Sequence, residues 1–307
     1  MRVLVTGGTG FFGSYLVPQL IEDGHAVTCL VRDEKSRDVL PDGVGIHKGD
    51  VLKPETLSGM FDDIDAAIHL VGIIEEKKSA GITFERLHVD ATRNVAEAAA
   101  SAGVSRFILM SANGARENGV SPYQTTKWRA EQIIKNGNFE SWTIFRPSFL
   151  FGDPGNDNPE FVTQIANSLI VPFPILPVFG SGDYKLQPVA VEDVALAFSS
   201  ALVNEAARNR SYIAVGKESF RYTEILDIIT RSCGLTEKKK IHQPIFLARI
   251  AVNTIGRIGL LPISPDQFEM LIEGNSGNPT AFHNDFNLDG IPFSVDNLQY
   301  VQKYISK

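Results

Sequence analysis

Thr6-Gly7-Gly8-Thr9-Gly10-Phe11-Phe12-Gly13 lies between an apolar run at residues 2–5 and a helical pattern at 13–23, with a second apolar run at 26–31. Strand, glycines, helix and strand follow one another in the order that a dinucleotide site requires. Gly7 permits the tight turn, Gly10 lets the backbone approach a pyrophosphate, and Gly13 lets the helix pack close to the strand. The helix N-terminus then offers unpaired N–H groups and the positive end of its dipole to phosphate oxygens. Thr9, Phe11 and Phe12 complete the turn and join the three glycines as candidate cofactor contacts. Pro18 deprives the Ser14 carbonyl of its helical partner and predicts a kink.

The residue at the end of the second strand selects the nucleotide. An acidic side chain there hydrogen-bonds a ribose 2′-hydroxyl, whereas a basic one pairs with a 2′-phosphate. The strand ends Cys29-Leu30-Val31-Arg32-Asp33, which puts Arg32 in the deciding place. A guanidinium meets a phosphate with two parallel hydrogen bonds, and Lys35 or Arg37 adds charge. NADP(H) is therefore the expected cofactor. NAD(H) is the alternative if the register shifts by one residue onto Asp33.

Beyond this unit the alternation continues. Strands are predicted at 66–71, 106–110 and 142–145, and helices at 84–102 and 122–135. Short apolar strands alternating with helices predict an α/β fold, a Rossmann doubly wound parallel sheet. After residue 151 the texture changes: 152–159 is rich in Gly, Pro, Asn and Asp, and 171–178 carries three prolines, both of which read as loops. A helix at 191–203 and a strand at 212–215 follow, and the remainder reads as helical with a polar tail. The expected division is a nucleotide-binding domain at 1–150, completed by about 187–216. A smaller, mostly helical C-terminal lobe takes 151–186 and 217–307.

Ser121-Pro122-Tyr123-Gln124-Thr125-Thr126-Lys127 starts a helix with a capping serine and a proline in its first turn. Tyr123 and Lys127, four apart, share one face. A phenol titrates near pH 10. An ammonium about 4 Å away is worth roughly 4 kcal/mol at an effective dielectric near 20, enough to bring the phenol toward neutrality for acid/base work.

Together these residues resemble the short-chain dehydrogenase/reductase superfamily, in its extended and atypical branch of the NAD-dependent epimerase/dehydratase type. The resemblance covers nearly the whole chain. It rests on the Gly-rich loop, Gly49-Asp50-Val51, His69-Leu70-Val71-Gly72, Tyr123 with Lys127, Arg146-Pro147-Ser148 and residues 187–194. Within the superfamily, His69-Leu70-Val71-Gly72-Ile73-Ile74, Gln187-Pro188-Val189 and residues 242–266 are most similar to the group of the 39-kDa accessory subunit of respiratory complex I and its bacterial homologues. The resemblance implies NADPH held in a Rossmann fold, with adenine contacts at Asp50 and Val51. Further cofactor contacts are implied at Leu70, Val71, Gly72 and Pro147, and a small lobe over the cofactor. It implies Tyr123 as acid/base and Lys127 as its partner on the ribose. Two departures stand out: the place of the usual catalytic hydroxyl falls on Ala112, with Ser111 one residue early as a substitute, and an asparagine of the fourth helix is replaced by His88. A Tyr–Lys pair without a polarising hydroxyl binds a nicotinamide ribose yet catalyses poorly.

Two classes of function follow. One is an NAD(P)-dependent reductase, dehydrogenase or epimerase acting on a small-molecule substrate. The other is a cofactor-holding structural, assembly or redox-sensing partner of a membrane complex.

Twenty-nine Lys+Arg against 36 Asp+Glu give a net charge of −7, a sign that repels nucleic acid. Two cysteines, Cys29 and Cys233, show no metal-ligand spacing and fit a reducing compartment; no metal is expected. The expected location is cytoplasmic, or peripheral at the inner face of a membrane. Residues 245–261 form an apolar stretch with a polar stripe of Arg249, Asn253 and Arg257. It reads either as a lobe helix with that stripe in water, or as a contact for a protein or membrane surface.

Overall fold

A computed structural model describes residues 1–155, 158–254 and 263–305. The chain opens with β1 (Arg2–Thr6), α1 (Phe11–Glu22), β2 (Ala26–Val31), β3 (Gly45–Lys48) and β4 (Ala66–His69). Next come α2 (Ala91–Ser101), β5 (Arg106–Met110), α3 (Pro122–Lys135) and β6 (Ser141–Pro147). It continues through β7 (Leu150–Phe151), α4 (Phe161–Ile165), β8 (Ile175–Phe179), β9 (Lys185–Leu186), β10 (Val189–Ala190), α5 (Val191–Ala201) and β11 (Arg210–Ala214). β12 (Phe220–Arg221), α6 (Tyr222–Ser232), β13 (Lys239–Gln243), α7 (Ile245–Thr254), α8 (Pro265–Glu273) and α9 (Thr280–Asp285) follow.

The chain forms two compact units. The first is Met1–Pro147, Glu192–Ala214 and Thr280–Leu288; the second is Ser148–Val191, Val215–Pro279 and Asp289–Lys307. Thr280–Leu288, read from sequence as part of the smaller lobe, belongs to the first unit because Phe282 and Phe286 pack against Phe145, at 6.4 and 5.4 Å between ring centroids.

In the first unit seven strands form one sheet in the order β11-β6-β5-β4-β1-β2-β3, and every pairing is parallel. Val3, Leu4, Val5, Ala66, Ala67, Ile68, Phe107, Ile108 and Leu109 are buried, as a parallel sheet covered on both faces demands. The strand order reverses between β1 and β4, which are in register from Val3–Ala66 to Thr6–His69. In open α/β sheets the crevice at such a reversal, outside the carboxyl ends of the strands, is where ligands bind. β3 was missed from the sequence because this short edge strand is largely polar, Gly-Ile-His-Lys. α1 runs through Pro18 to Glu22 without ending. The helix expected at 84–102 begins instead with a π-type turn over Glu85–Asp90 before α2.

The second unit packs Leu176, Val178, Ile225, Leu226, Ile229, Leu298 and Val301 into its own core. Here the loop expected at 171–178 is corrected: Ile175–Phe179 is a strand, parallel to β13, with Pro177 opposite Ile241. A two-stranded ribbon has only edge strands, where proline's missing N–H costs nothing. Within this unit the Gln187 carboxamide donates to the Gly216 carbonyl at 2.6 Å and accepts from the Gly277 N–H at 2.9 Å, so its role is structural. No described helix is long and apolar enough to cross a membrane.

Candidate functional site

The glycines of the first turn divide by what constrains them. Gly7 has φ +79°, a left-handed conformation that favours glycine. A Cβ on Gly13 would lie 2.3 Å from the Gly8 carbonyl oxygen, so the helix can meet the turn only without a side chain. Gly10 differs: a Cβ there would meet only the Gly7 carbonyl oxygen, at an ordinary 3.5 Å. The protein itself leaves room at Gly10, and the missing side chain opens that room to an outside group. α1 starts on Gly10 with no side-chain cap and no acidic residue in its first turn, so its free N–H groups and positive end stay available. Phe12 is buried against Phe198, at 4.9 Å between ring centroids, and Phe11 packs edge-on to Tyr15. With the rings so packed, what they would offer a phosphate is their backbone N–H groups. Thr9 stands half-buried in the turn.

Around this turn the neighbouring strand ends converge. The Leu70 N–H donates to the Thr6 carbonyl at 3.1 Å, and a Cβ on Gly7 would come within 3.2 Å of Leu70 Cβ and the Val71 nitrogen. Asp50 turns one carboxylate oxygen to the Leu52 N–H at 3.0 Å. Val51 buries its side chain in the core, while its carbonyl accepts from Asn94 Nδ2 at 2.9 Å. The buried Pro147 ends β6, its carbonyl accepting from the Asn113 N–H at 2.8 Å.

Arg32, just past β2, is exposed. Asp33 spends its carboxylate as a cap, accepting from the Lys35 N–H at 3.1 Å.

The geometry of Tyr123 and Lys127 corrects the sequence reading of their electrostatics. Both lie in the first two turns of α3, which Ser121 caps by accepting from the Gln124 N–H. Burial pushes the Tyr123 phenol up to about 12, with no offsetting effect of Lys127. Lys127 is the member of the pair brought toward neutrality: burial lowers it to about 8, with Glu131 pulling the other way. Its Nζ donates to the Met110 carbonyl at 3.2 Å, and Gly72 makes room for it, since a Cβ there would lie 2.8 Å from Nζ. Tyr123 is set edge-on to His88 and Phe84, at 5.3 and 5.6 Å.

Ser111 is a second correction. Its hydroxyl donates to Glu131 Oε1 at 2.6 Å, so its proton is committed to a buried carboxylate. Glu131 also receives Arg146 through Nε at 2.7 Å and Nη2 at 2.5 Å, and Lys135 at 3.3 Å. Sequence reasoning missed this network because its members lie on β6, α3 and the turn after β5. Two buried histidines were also missed as site residues. His69 Nδ1 is 2.6 Å from Thr6 Oγ1, and its Nε2 is buried without a partner. His88 bridges Thr126 Oγ1 at 2.9 Å and the Ile73 carbonyl at 3.0 Å. Burial first, and Lys127 second, hold them down at about 3 and about 2, so both are neutral. Among the described residues no group of His, Cys, Asp and Glu is placed to hold a metal ion.

An open approach at Gly10, an uncapped helix start and a buried ammonium held by one carbonyl fit a dinucleotide. Gly10 with the N-terminus of α1 would hold the pyrophosphate, and Lys127 with Tyr123 the ribose beside the reactive ring.

Comparison with known proteins agrees with this geometry. The model of the NAD dependent epimerase/dehydratase family matches residues 3–216. A ceramide reductase of Caulobacter vibrioides is 31% identical over 73% of this chain and 68% of its own length. The mitochondrial 40 kDa subunit of NADH-ubiquinone oxidoreductase of Neurospora crassa is 24% identical over 98% of this chain and 79% of its own. Among solved structures, UDP-glucose 4-epimerase of Thermus thermophilus in complex with NAD has a TM-score of 0.75 at 20% identity, over 99% of this chain and 98% of that one. That likeness concerns the fold.

Proposed function

The chain belongs to the NAD dependent epimerase/dehydratase family, and from that premise we propose that it holds NADP(H) as a slowly exchanging part of its structure. A nicotinamide dinucleotide is typical of the family. One observation carries the choice of phosphate: Arg32 is exposed at the end of β2, while the competing Asp33 is occupied as a helix cap. A guanidinium in that place pairs with a 2′-phosphate, while one oxygen of Asp33 is turned back to its own chain.

The commitment of Ser111 to Glu131 and the Ala112 position support holding over turnover, because a carbonyl substrate would lack a polarising hydroxyl beside Tyr123. The likeness to a respiratory-complex subunit points the same way. In this reading Lys127 and Tyr123 orient the ribose. The cofactor, when bound, supplies a hydride donor or acceptor.

The second reading is an NADPH-dependent reductase of a small carbonyl compound, favoured by the half-buried Tyr123 and buried Lys127 on one helix face and by the ceramide reductase relative. The rate at which bound NADPH leaves the purified protein, followed by its fluorescence during a chase with excess NADP, separates the two. Release over hours supports a fixed cofactor. Release within seconds favours the reductase, for which Tyr123→Phe abolishes turnover and spares cofactor affinity. Arg32→Asp is expected to weaken NADPH roughly tenfold to hundredfold and to spare NADH. Equal loss of both nucleotides removes Arg32 as the reader of the phosphate.

A further inference from the structure

α7 packs Ala248 and Val252 against Phe268, and Phe246 and Ile250 stand exposed on its opposite pole. Nothing in the structure shows what covers that pole. Residues 255–261 of the same apolar stretch, with Arg257, lie outside the described residues. The first unit, in contrast, holds a tie whose two ends are both in place.

The loop after β4 is sparsely bonded. At its start the Leu70 N–H is fixed on the Thr6 carbonyl, and at its end the Glu76 carboxylate accepts from the Phe84 N–H at 2.9 Å. Between them, over 71–75, the backbone groups that meet a hydrogen-bond partner among the described residues are the N–H and the carbonyl of Ile73. Both face His88 Nε2, at 3.2 and 3.0 Å. The loop runs close over Lys127 here, since a Cβ on Gly72 would lie 2.8 Å from Nζ and 3.6 Å from His88 Cδ2. On the other side of the imidazole, Nδ1 is 2.9 Å from Oγ1 of Thr126, the residue before Lys127 on α3. The ring stacks on Phe84 and stands edge-on to Tyr123, each at 5.3 Å.

Burial keeps this imidazole neutral, so one nitrogen carries a proton and the other a lone pair. With the proton on Nδ1, the ring donates to Thr126, whose hydroxyl turns to the Pro122 carbonyl at 2.7 Å, and Nε2 accepts from the Ile73 N–H. With the proton on Nε2, the ring donates to the Ile73 carbonyl and Thr126 donates to Nδ1. Either tautomer ties the loop to α3. His88 itself sits in the π-type turn over Glu85–Asp90, a geometry frequent at functional sites, and its carbonyl accepts from the Thr92 hydroxyl at 2.6 Å.

We propose that His88 is a positioning residue: by joining the Ile73 backbone to Thr126 it holds loop 71–75 in place beside Lys127 and Tyr123, and so sets how long a bound dinucleotide stays. The inference rests on the NADP(H) reading above. Segments with few bonds open locally at low cost, so for a nucleotide seated against this loop the His88 tie is what opposes release.

The test follows NADPH leaving the full chain during a chase with excess NADP. His88→Phe keeps an aromatic ring between Phe84 and Tyr123 but has no nitrogen, and release is expected to quicken roughly tenfold. Thr126→Val removes the other anchor and is expected to quicken it roughly threefold. The double variant is expected to be no faster than His88→Phe, because both substitutions break one chain of bonds. His88→Gln carries a donor and an acceptor at the end of its side chain and is expected to bring release back to within about threefold of the unsubstituted rate. In the nucleotide-free, unsubstituted chain, the imidazole 15N resonances of His88 are expected to show one neutral tautomer. Unchanged release by His88→Phe overturns the inference, as does release by His88→Gln as fast as by His88→Phe, which would leave only ring packing. So do effects that multiply in the double variant, or a His88 ring that is charged or averages between tautomers. A chain that binds no nucleotide sinks the NADP(H) reading and this inference with it; a chain that binds NADPH and releases it at one rate in all variants sinks this inference alone.

Discussion

Near the carboxyl ends of β4 and β5 the first unit buries Lys127, Glu131, His69 and His88, whereas along α7 and one side of the β8–β13 ribbon the second unit leaves Phe246, Ile250 and Ile241 in solvent. Both arrangements run against the usual partition of polar and apolar groups. What separates them is completion. Glu131 receives Ser111, Arg146 and Lys135, so its burial is accounted for inside the fold. Lys127 has one carbonyl, and the outer pole of α7 has no covering side chain among the residues described. A buried charge with its full set of partners is architecture. A buried charge short of partners, or an apolar pole without cover, marks where something outside the chain belongs.

The comparison breaks first at Glu131. Removing it by Glu131→Ala leaves Arg146 and Ser111 unpaired where α3 meets β6, and such losses cost about 3–5 kcal/mol. Arg146 and Lys135 are each about a quarter exposed, and water there places the expected value at the lower end, about 3 kcal/mol. Urea unfolding at neutral pH measures it. A loss under about 1 kcal/mol would show that the network does not hold the two elements together, and that Glu131 belongs with Lys127 on the unfinished side.

Comparable in size is acid stability. His69 and His88 titrate at about 3 and about 2 in the fold but near 6.5 in the unfolded chain. Below pH 6.5 the unfolded form takes up protons that the folded form refuses, so stability is full above that pH and declines as the pH falls toward the folded values. The slope is up to about 1.4 kcal/mol per pH unit for each histidine. Unfolding at pH 7 and pH 5 tests the sign. His88→Asn is expected to remove about half of the difference, and a midpoint that does not move between the two pH values rules out neutral burial of these rings.

How much of this was legible beforehand follows the distance over which each feature is specified. The turn at 6–13 is local: its glycines, strand and helix are consecutive, so the fold and the geometry of this turn could be read directly. Tyr123 and Lys127 were placed correctly on one helix face, but periodicity says nothing of depth, and it is depth that raises the phenol and lowers the amine. The Ser111–Glu131–Arg146 network was hidden because it is assembled from three elements, with no spacing to announce it. β8 was concealed by prolines, which read as loop until a single parallel partner makes their missing N–H harmless. On α7 the four-residue spacing of Arg249 and Asn253 was visible, yet a stripe does not reveal which side meets the neighbouring helix. Arg249 pairs with Glu269 twenty residues later while staying half exposed, and Ala248 with Val252 is the side that meets Phe268.

The smallest expected effect sharpens the comparison most. Phe246 and Phe268 are the same residue in one helical pair, but Phe268 is fully buried beneath Ala248 and Val252 while Phe246 stands on the far pole of α7. Truncating Phe268 to alanine removes packing and leaves a cavity, a loss of about 3–5 kcal/mol. Changing Phe246 and Ile250 to glutamine removes no contact that the fold depends on, so the urea midpoint is expected to shift by no more than about 0.5 kcal/mol, with an unchanged slope. That near-zero result is informative because large apolar side chains that contribute nothing to folding need another reason to be exposed. A loss of 2 kcal/mol or more by the same rule would mean that the chain itself covers this pole, and the face would then belong to the second unit's own core.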